Sequence, residues 1–409
     1  MKNSRLLMVM PYPYLAQRAV AEGFRVFALW DPALESGDYL RTVERHCEAL
    51  EFVDFTDESA LRARVREMAA RYHVDRILHL GREESMLTVY EVAAELDLAT
   101  NPPEAIRALN DKAAMRQLLA SAGLSPVRCV EVSTADRVPD VLDRFAMPVI
   151  TKPTRMAGSR GVRLVRTIED LDEWRRQLDR YGYTGPVLVE EYLEGSEYSV
   201  ETISVAGQHH VLGITAKQLR PPPGFVEIGH VYPAPLNTTD RLAIAEVVTA
   251  LLQAADYQFG PAHTEVILTR QGPRIVESQA RLAGDRIPRL VELATGMDPA
   301  VTIFRALASA PVEPVQPKKA AAISFFELEP GRLLELTGLD EMRRLPFVDT
   351  VVFHHEVGDD LPEVIDNRTR HGYVIVTAPT HDDLAPRIAE ARRLLRVVIA
   401  STVRSGGHG

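Results

Sequence analysis

The segment HTEVILTRQGPRIVESQARLAG, residues 263–284, holds two glutamates, Glu265 and Glu277, each inside an apolar run, with a turn between them. Thr264 to Thr269 and Arg274 to Ser278 are short and rich in Val and Ile, and Gln271-Gly272-Pro273 reads as a hairpin turn. Pairing centred near Gln271 sets Glu265 opposite Glu277. Because strand side chains alternate, Glu277, Gln279 and Arg281 then share the face of Glu265. Like charges directly opposed repel, so a cation is expected between them. Hard oxygen ligands suit Mg²⁺ or Mn²⁺, and Mg²⁺ completes its shell with water and phosphate oxygens. The pattern therefore asks for a nucleotide, although a hairpin with its acids in water would look the same at this stretch alone.

The rest of the chain bounds that reading. At 409 residues it exceeds what one core usually supports, and its 46% apolar and 25% charged fractions are those of a globular protein. A net charge of -10 argues against nonspecific nucleic-acid binding. No run of about 18 apolar residues suggests a membrane span, and the N-terminus lacks a secretory pattern, so a cytoplasmic protein is expected. The only cysteines, Cys47 and Cys129, have no metal-ligand spacing. Only six of the 47 basic residues are lysine, which gives internal Lys112, Lys152 and Lys217 some weight as compact point charges.

The first hundred residues alternate strand and helix signals: LLMVM, a helix from Leu15 to Ala21, RVFALW, a helix from about Ser59 to Tyr72, RILHL and a helix from Glu83 to Glu95. That rhythm predicts a parallel α/β domain over residues 1–105, without the GxGxxG of a dinucleotide binder. Asn101-Pro102-Pro103 marks a boundary, and a helix begins near Asn110-Asp111 and stops at Gly123. A compact α+β segment is expected over about 129–205, with a helix from Thr167 to Arg180 opened by a Thr-x-x-Asp capping signal. An amphipathic helix follows from Arg241 to Ala255. Beyond the Pro-rich 312–320 stretch, residues 317–409 read as an α+β cap ending in a helix from Asp382 to Ala400.

Two further stretches bear on chemistry. In TRMAGSRGV, 154–162, Gly158 and Gly161 flank Ser159 and Arg160 and let backbone N–H groups approach an anion, with Lys152 entering from the strand before. No helix with GK[ST] follows, so this is not a Walker A loop, and an ordinary hairpin turn would share the composition. In VLVEEYLEGSEYSVE, 187–201, an apolar strand breaks and restarts. Its freed backbone can pair with an adenine edge and Glu197 can take ribose hydroxyls, while an exposed acidic bend is the plainer alternative.

Taken in order, Lys112, Lys152 with its glycine loop, Glu190-Glu191-Tyr192-Leu193, the Glu265 and Glu277 pair, and Arg281 resemble the ATP-grasp superfamily. The FVEIGH stretch, 225–230, makes the chain look especially like its carboxylate–amine ligases of the L-amino acid ligase group. The resemblance implies an ATP-grasp domain over 106–316 between the α/β domain and the cap. It implies ATP and Mg²⁺ or Mn²⁺, amino-acid-like small-molecule substrates, a homodimer, and amide formation through an acyl-phosphate. Lys112, Lys152 and the Ser159–Arg160–Gly161 loop would contact phosphates. Glu190 and Leu193 would bond adenine through their backbone, within the hinge that includes Glu191 and Tyr192, and Glu197 would hold the ribose. Glu265 and Glu277 would bind metal, joined by Gln279 where the family commonly has Asn, and Arg281 would hold the acyl-phosphate. Glu227 would take the ammonium of the first amino acid with His230 beside it and Lys217 facing the site. Gly284 and Asp285 would line the second pocket, where the Asp285 charge would favour a cationic or amino-bearing substrate. A ligase using a carrier-protein thiol and a nucleotide-binding sensor without chemistry are the alternatives.

Overall fold

The computed structural model of the chain describes residues 3–156, 158–221 and 225–400. Ala157 of the glycine loop, Pro222–Gly224 of the expected substrate loop and the tail from Ser401 lie outside the described residues. At the N-terminus, β1 (Arg5–Val9), β2 (Arg25–Trp30), β3 (Ala49–Phe52) and β4 (Arg76–His79) form the expected parallel sheet, in the order β3-β2-β1-β4. Helices Pro13–Ala21, Glu58–Tyr72 and Met86–Glu95 fall close to their expected bounds, and the helix Gly37–Glu44 and strand β3 add to the pattern. The Asn101-Pro102-Pro103 boundary is fastened. The Asn101 side chain donates to Phe259 O (2.7 Å) and accepts from Gln258 N (2.8 Å) and Phe259 N (2.9 Å), which ties it to the next domain.

A short helix, Pro103–Asn110, precedes the expected one at Lys112–Ser121, whose N-cap Asp111 accepts from the backbone of Ala113 and Ala114. Next comes a lid of β5 (Cys129–Val132), β6 (Val149–Pro153), β7 (Arg163–Val165) and β8 (Val187–Glu191), ordered β5-β8-β6-β7 and covered by the helix Ile168–Arg180. Thr167 and Asp170 close the expected capping box.

The strand β9 (Gly195–Val205), expected inside the lid, is an inner strand of a larger sheet. Its residues Ser199–Ser204 are all buried, and a side chain buried on each face needs cover that a four-stranded lid does not give. The lid therefore ends at the break before Gly195. The remaining strands are β10 (Gln208–Leu219), β11 (Glu227–Tyr232), β12 (Gly260–Thr269), β13 (Gly272–Gln279), β14 (Ala320–Phe326), β15 (Gly331–Thr337), β16 (Val348–Phe353), β17 (Asp360–Leu361), β18 (Gly372–Ala378) and β19 (Arg396–Ala400). Eight strands run in the order β13-β12-β9-β10-β11-β14-β18-β16, and β17-β15-β19 form a small sheet beside them.

The C-terminal cap is thus continuous with the central sheet through the β11–β14 ladder. Its last helix spans Leu384–Leu394 only, and the expected continuation to Ala400 is β19. Val397, Val398 and Ile399 are β-branched and pair with β15, which wins over helix propensity there. No helix of the described residues is long and apolar enough to cross a membrane.

Candidate active site

Strands β12 and β13 are the hairpin of residues 263–284, with Glu265 and Glu277 as ladder partners. A bulge follows at once: Val266 pairs with Ile275, so Val276 falls out of register, and its carbonyl lies 3.4 Å from both Arg116 Nη2 and Lys152 Nζ. The two carboxylates do not face each other bare. Lys217 Nζ lies 2.6 Å from Glu265 Oε1, and Lys112 Nζ lies 2.9 Å from Glu277 Oε2.

On the central sheet, Glu197, Ser199 and Glu201 of β9 share one face with His263 and Glu265 of β12 and with Lys217 of β10. Lys217 Nζ also contacts Glu197 Oε1 (2.6 Å) and Glu227 Oε1 (3.2 Å), so one ammonium, on a side chain largely removed from solvent, serves three carboxylates. Burial opposes its charge, but Glu197, Glu227 and Glu265 hold its pKa well above the usual lysine range. Burial likewise opposes the charge on Glu265, yet Lys217 and His263 hold it at about 2. Glu197 moves the other way, raised by burial and by neighbouring Glu265 and Glu227 in spite of Lys217.

These groups border a cleft of about 380 Å³ between lid and central sheet. Lys112, Lys152, Ser159, Arg160, Glu190, Glu191, Tyr192, Leu193, Glu197, Lys217, Glu227, Glu265 and Glu277 all line it, with Ile150, Val162, Leu219 and Ile267 as apolar walls. Gly158, Ser159 and Gly161 adopt positive φ, which turns the loop back over the cleft. Gly161 itself sits behind the loop, where Trp174 Nε1 donates to its carbonyl (2.7 Å) and a Cβ would meet Pro153 and Leu178 within 2.9 Å. Lys112 Nζ donates to Met156 O (2.8 Å), which ties the loop to the helix below.

Glu190 departs from expectation. Its backbone lies in the ladders to Cys129 and Ile150, so it is not free to meet a base. Its carboxylate instead receives Arg116 Nε (2.7 Å) and Lys152 Nζ (2.8 Å), which overcome burial and hold it at about 2. The residues past the strand end, Tyr192 and Leu193, spend no backbone N–H on another described residue. Gln279 lies beside Glu277: its amide nitrogen donates to Glu277 Oε1 (3.0 Å), because side chains two apart on a strand share a face.

A second chamber, of about 950 Å³, lies where the N-terminal domain, the segment after β13 and the cap meet. Arg281, Gly284 and Asp285 line it. Arg281 has left the hairpin face: its Nε reaches Glu83 Oε1 of the N-terminal domain (2.5 Å). His230 is fully buried in the wall dividing the cavities, with Nε2 3.0 Å from Glu227 Oε2 and 3.3 Å from Asp285 Oδ2. The Asp285 charge is already matched. Arg370 grips it with both terminal nitrogens, and His230 and Arg370 together overcome burial to hold it well below the usual carboxylate range. Asp285 therefore does not offer the uncompensated negative charge expected to attract a cationic substrate. Glu227, His230 and Asp285 have the spacing of a metal triad, and Lys217 and Arg370 contact its two carboxylates.

Sequence reading missed the supports. Arg116 bridges three elements: its guanidinium holds Glu190 of the lid and donates to Ile275 O (2.7 Å) and Val276 O (3.4 Å) at the hairpin bulge. Its signal was available, since it follows Lys112 by one helical turn on an otherwise buried face. His263 Nδ1 lies 2.9 Å from Glu201 Oε1 and its Nε2 3.6 Å from Glu265. Asn367, whose Oδ1 accepts from Glu227 N (3.0 Å), and Arg370 come from a cap loop that carries no local motif.

Comparison with known proteins agrees with this architecture. Residues 145–289 match the ATP-grasp domain model and residues 324–400 match L-amino acid ligase C-terminal domain 2. An uncharacterised protein, y4rH, of Sinorhizobium fredii is 30% identical over 351 residues, 83% of this chain and 72% of that protein. Alanine–anticapsin ligase of Bacillus subtilis is 26% identical over 220 residues, 48% of this chain, and the match spans about half of that enzyme (46%). The crystal structure of an L-amino acid ligase from Bacillus licheniformis superposes with a TM-score of 0.83 at 22% identity, covering 98% of this chain and 100% of that one, and so shows the fold. The chain belongs to the ATP-grasp superfamily and, within it, to the L-amino acid ligase-like carboxylate–amine ligases, which form carbon–nitrogen bonds.

Proposed function

We propose that this enzyme joins two amino-acid-like substrates in an ATP-dependent reaction that passes through an acyl-phosphate and releases ADP and phosphate. The observation that carries the proposal is the paired carboxylates Glu265 and Glu277, set opposite each other at the cleft and each neutralised by a lysine. Hard oxygen donors beside the Gly158–Gly161 loop fit Mg²⁺ or Mn²⁺ with a nucleotide; Glu265 and Glu277 would hold the cation, which would supply charge neutralisation to the phosphates.

The chain's own residues then have distinct tasks. Tyr192 and Leu193 offer backbone to the base and Glu197 meets the ribose. Lys112 and Lys152 face the phosphates under the Gly158–Gly161 loop, with Arg116 and Glu190 keeping Lys152 in place. Glu227 receives the ammonium of the first substrate and His230 orients Glu227. Arg281, in the second chamber, stabilises the charge that grows on the activated carboxylate, and the lid excludes the water that would hydrolyse it.

The test is a pair screen of amino acids for ATP-dependent phosphate release, with mass analysis of the product. Glu277→Gln keeps the side-chain shape and removes its charge. ADP release should fall by at least about 100-fold, the scale of losing a group that stabilises the transition state, with thermal unfolding little changed. Undiminished turnover would remove Glu277 from the metal site.

A further inference from the structure

The second chamber holds a charge pattern opposite to the one expected from Asp285. Five of the six acids that line it are matched: Glu35 by Arg82 (3.4 Å), Glu83 by Arg281, Asp285 by Arg370, Glu292 by Arg289 (2.7 Å) and Asp298 by Arg18 (2.8 Å), with Glu84 at its N-terminal-domain side the sixth. Arg286 lines the same space and has no acidic partner among the described residues. Its Nε donates to Tyr373 Oη (3.0 Å) and its guanidinium lies 5.9 Å from the Tyr373 ring centre, so the group is oriented while both terminal nitrogens stay uncommitted. An arginine fork held by its Nε alone is the geometry that receives a planar anion through two parallel hydrogen bonds.

Position supports this. Asp285 and Arg286 both have left-handed backbone, with φ of 49° and 60°, and the kink sends consecutive side chains to different partners. Asp285 turns to Arg370 and His230, while Arg286 goes to Tyr373. Tyr14, whose hydroxyl burial pushes up to about 12, feels the opposing charge of both Arg286 and Arg281, so the two guanidiniums border one space. A group seated on Arg286 is then in the same chamber as the carboxylate that Arg281 is assigned to stabilise. Tyr12, Tyr14, Phe325 and Tyr373 supply aromatic wall around it.

We propose that Arg286 is the specificity residue for the second substrate, binding an anionic group of the amine so that the acceptor is selected as an amino acid through its carboxylate. A cationic or neutral amine would leave the fork unpaired beside the matched Asp285–Arg370 and Glu83–Arg281 pairs. The proposal rests on the ligase reading above.

The experiment uses the full-length enzyme with standard L-amino acids as acceptors, each beside its own α-carboxamide, which keeps the side chain and amine and lacks the negative charge. With the wild type, the carboxamide should be the poorer acceptor. Arg286→Gln should raise the acceptor KM by about 10- to 100-fold, leave the KM for ATP and for the first amino acid unchanged, and abolish the preference for acid over amide. Arg286→Lys should restore part of that preference. Hydroxylamine, supplied in place of the acceptor, traps the activated first substrate and reads the earlier proposal separately, and its yield should not respond to Arg286→Gln. Failure of the wild type to form any hydroxamate would remove the ligase reading and this one with it. Hydroxamate formation combined with equal losses for acid and amide, or no loss for either, would overturn the role of Arg286 alone.

Discussion

At the level of single residues, Lys217 carries the largest electrostatic burden. Three carboxylates, from β9, β11 and β12, converge on the ammonium of a side chain that is 3% exposed. Breaking a buried charged group by removing one partner leaves the others uncompensated, and Lys217→Met should cost about 3–5 kcal/mol of stability. Denaturant unfolding measures it, and a loss under about 1 kcal/mol would mean that water already reaches the cluster. Lys217→Arg should recover most of the stability, because the charge remains. That Lys112, Lys152 and Lys217 line one cleft is consistent with the weight their scarcity gave them in an arginine-rich chain. Their partners were less legible. Glu265 and Glu277 could be paired from strand alternation across a short turn, whereas Arg116 meets Glu190 across 74 positions and Arg370 meets Asp285 across 85. Local periodicity has no term for such distances. For the same reason the Asp285 charge looked available from sequence, and only the fold shows it already spent.

Among the elements, those with a repeating pattern and a cap were read closely. The helix Ile168–Arg180 begins where Thr167 and Asp170 place it, and the helix after Asp111 does the same. Errors fall where tertiary pairing decides. Arg396–Ala400 follows a helix with one residue between, and it is strand because β15 offers an edge. Strand β9 looked like part of the lid because its neighbour in sequence, β8, is one. The glycine loop shows how tightly an element can be specified. Gly161 has φ of +71°, its would-be Cβ lies 2.8 Å from Leu178 Cδ2, and its carbonyl is held by Trp174. Left-handed backbone costs a residue with a Cβ about 1–2 kcal/mol, before any clash. Gly161→Ala should therefore displace the loop and weaken ATP binding about tenfold, which is what 1.4 kcal/mol corresponds to, while binding of the first amino acid changes little. Gly158, also at positive φ but with open space around it, should tolerate alanine better. Equal effects at the two glycines, read by nucleotide titration, would show that backbone strain alone governs the loop.

Over the whole molecule, the cap is structurally inseparable from the site. Strand β14 continues the central sheet from β11, and its Phe325 packs edge-on to His230 with ring centres 5.8 Å apart. The loop before β18 supplies Asn367 to the backbone of Glu227 and Arg370 to Asp285, and its Asp366 accepts from Tyr181 at the end of the lid helix (3.0 Å). A boundary near residue 316 is therefore a boundary in the chain more than in the fold. A chain ending there would expose the edge of β11, where Tyr232 pairs with Ala321 in the intact sheet, and would leave the buried Asp285 without Arg370. An unpaired edge invites association between chains, and a buried acid that loses its cation is costly. The shortened chain should consequently unfold at lower temperature, tend to aggregate, and release no ADP with amino acids, as calorimetry, light scattering and a phosphate assay would report. Should it instead remain monomeric and active, Glu227 and His230 would need no support from the cap. The second chamber would then have to be closed by the N-terminal domain alone, through Tyr12, Arg82 and Glu83.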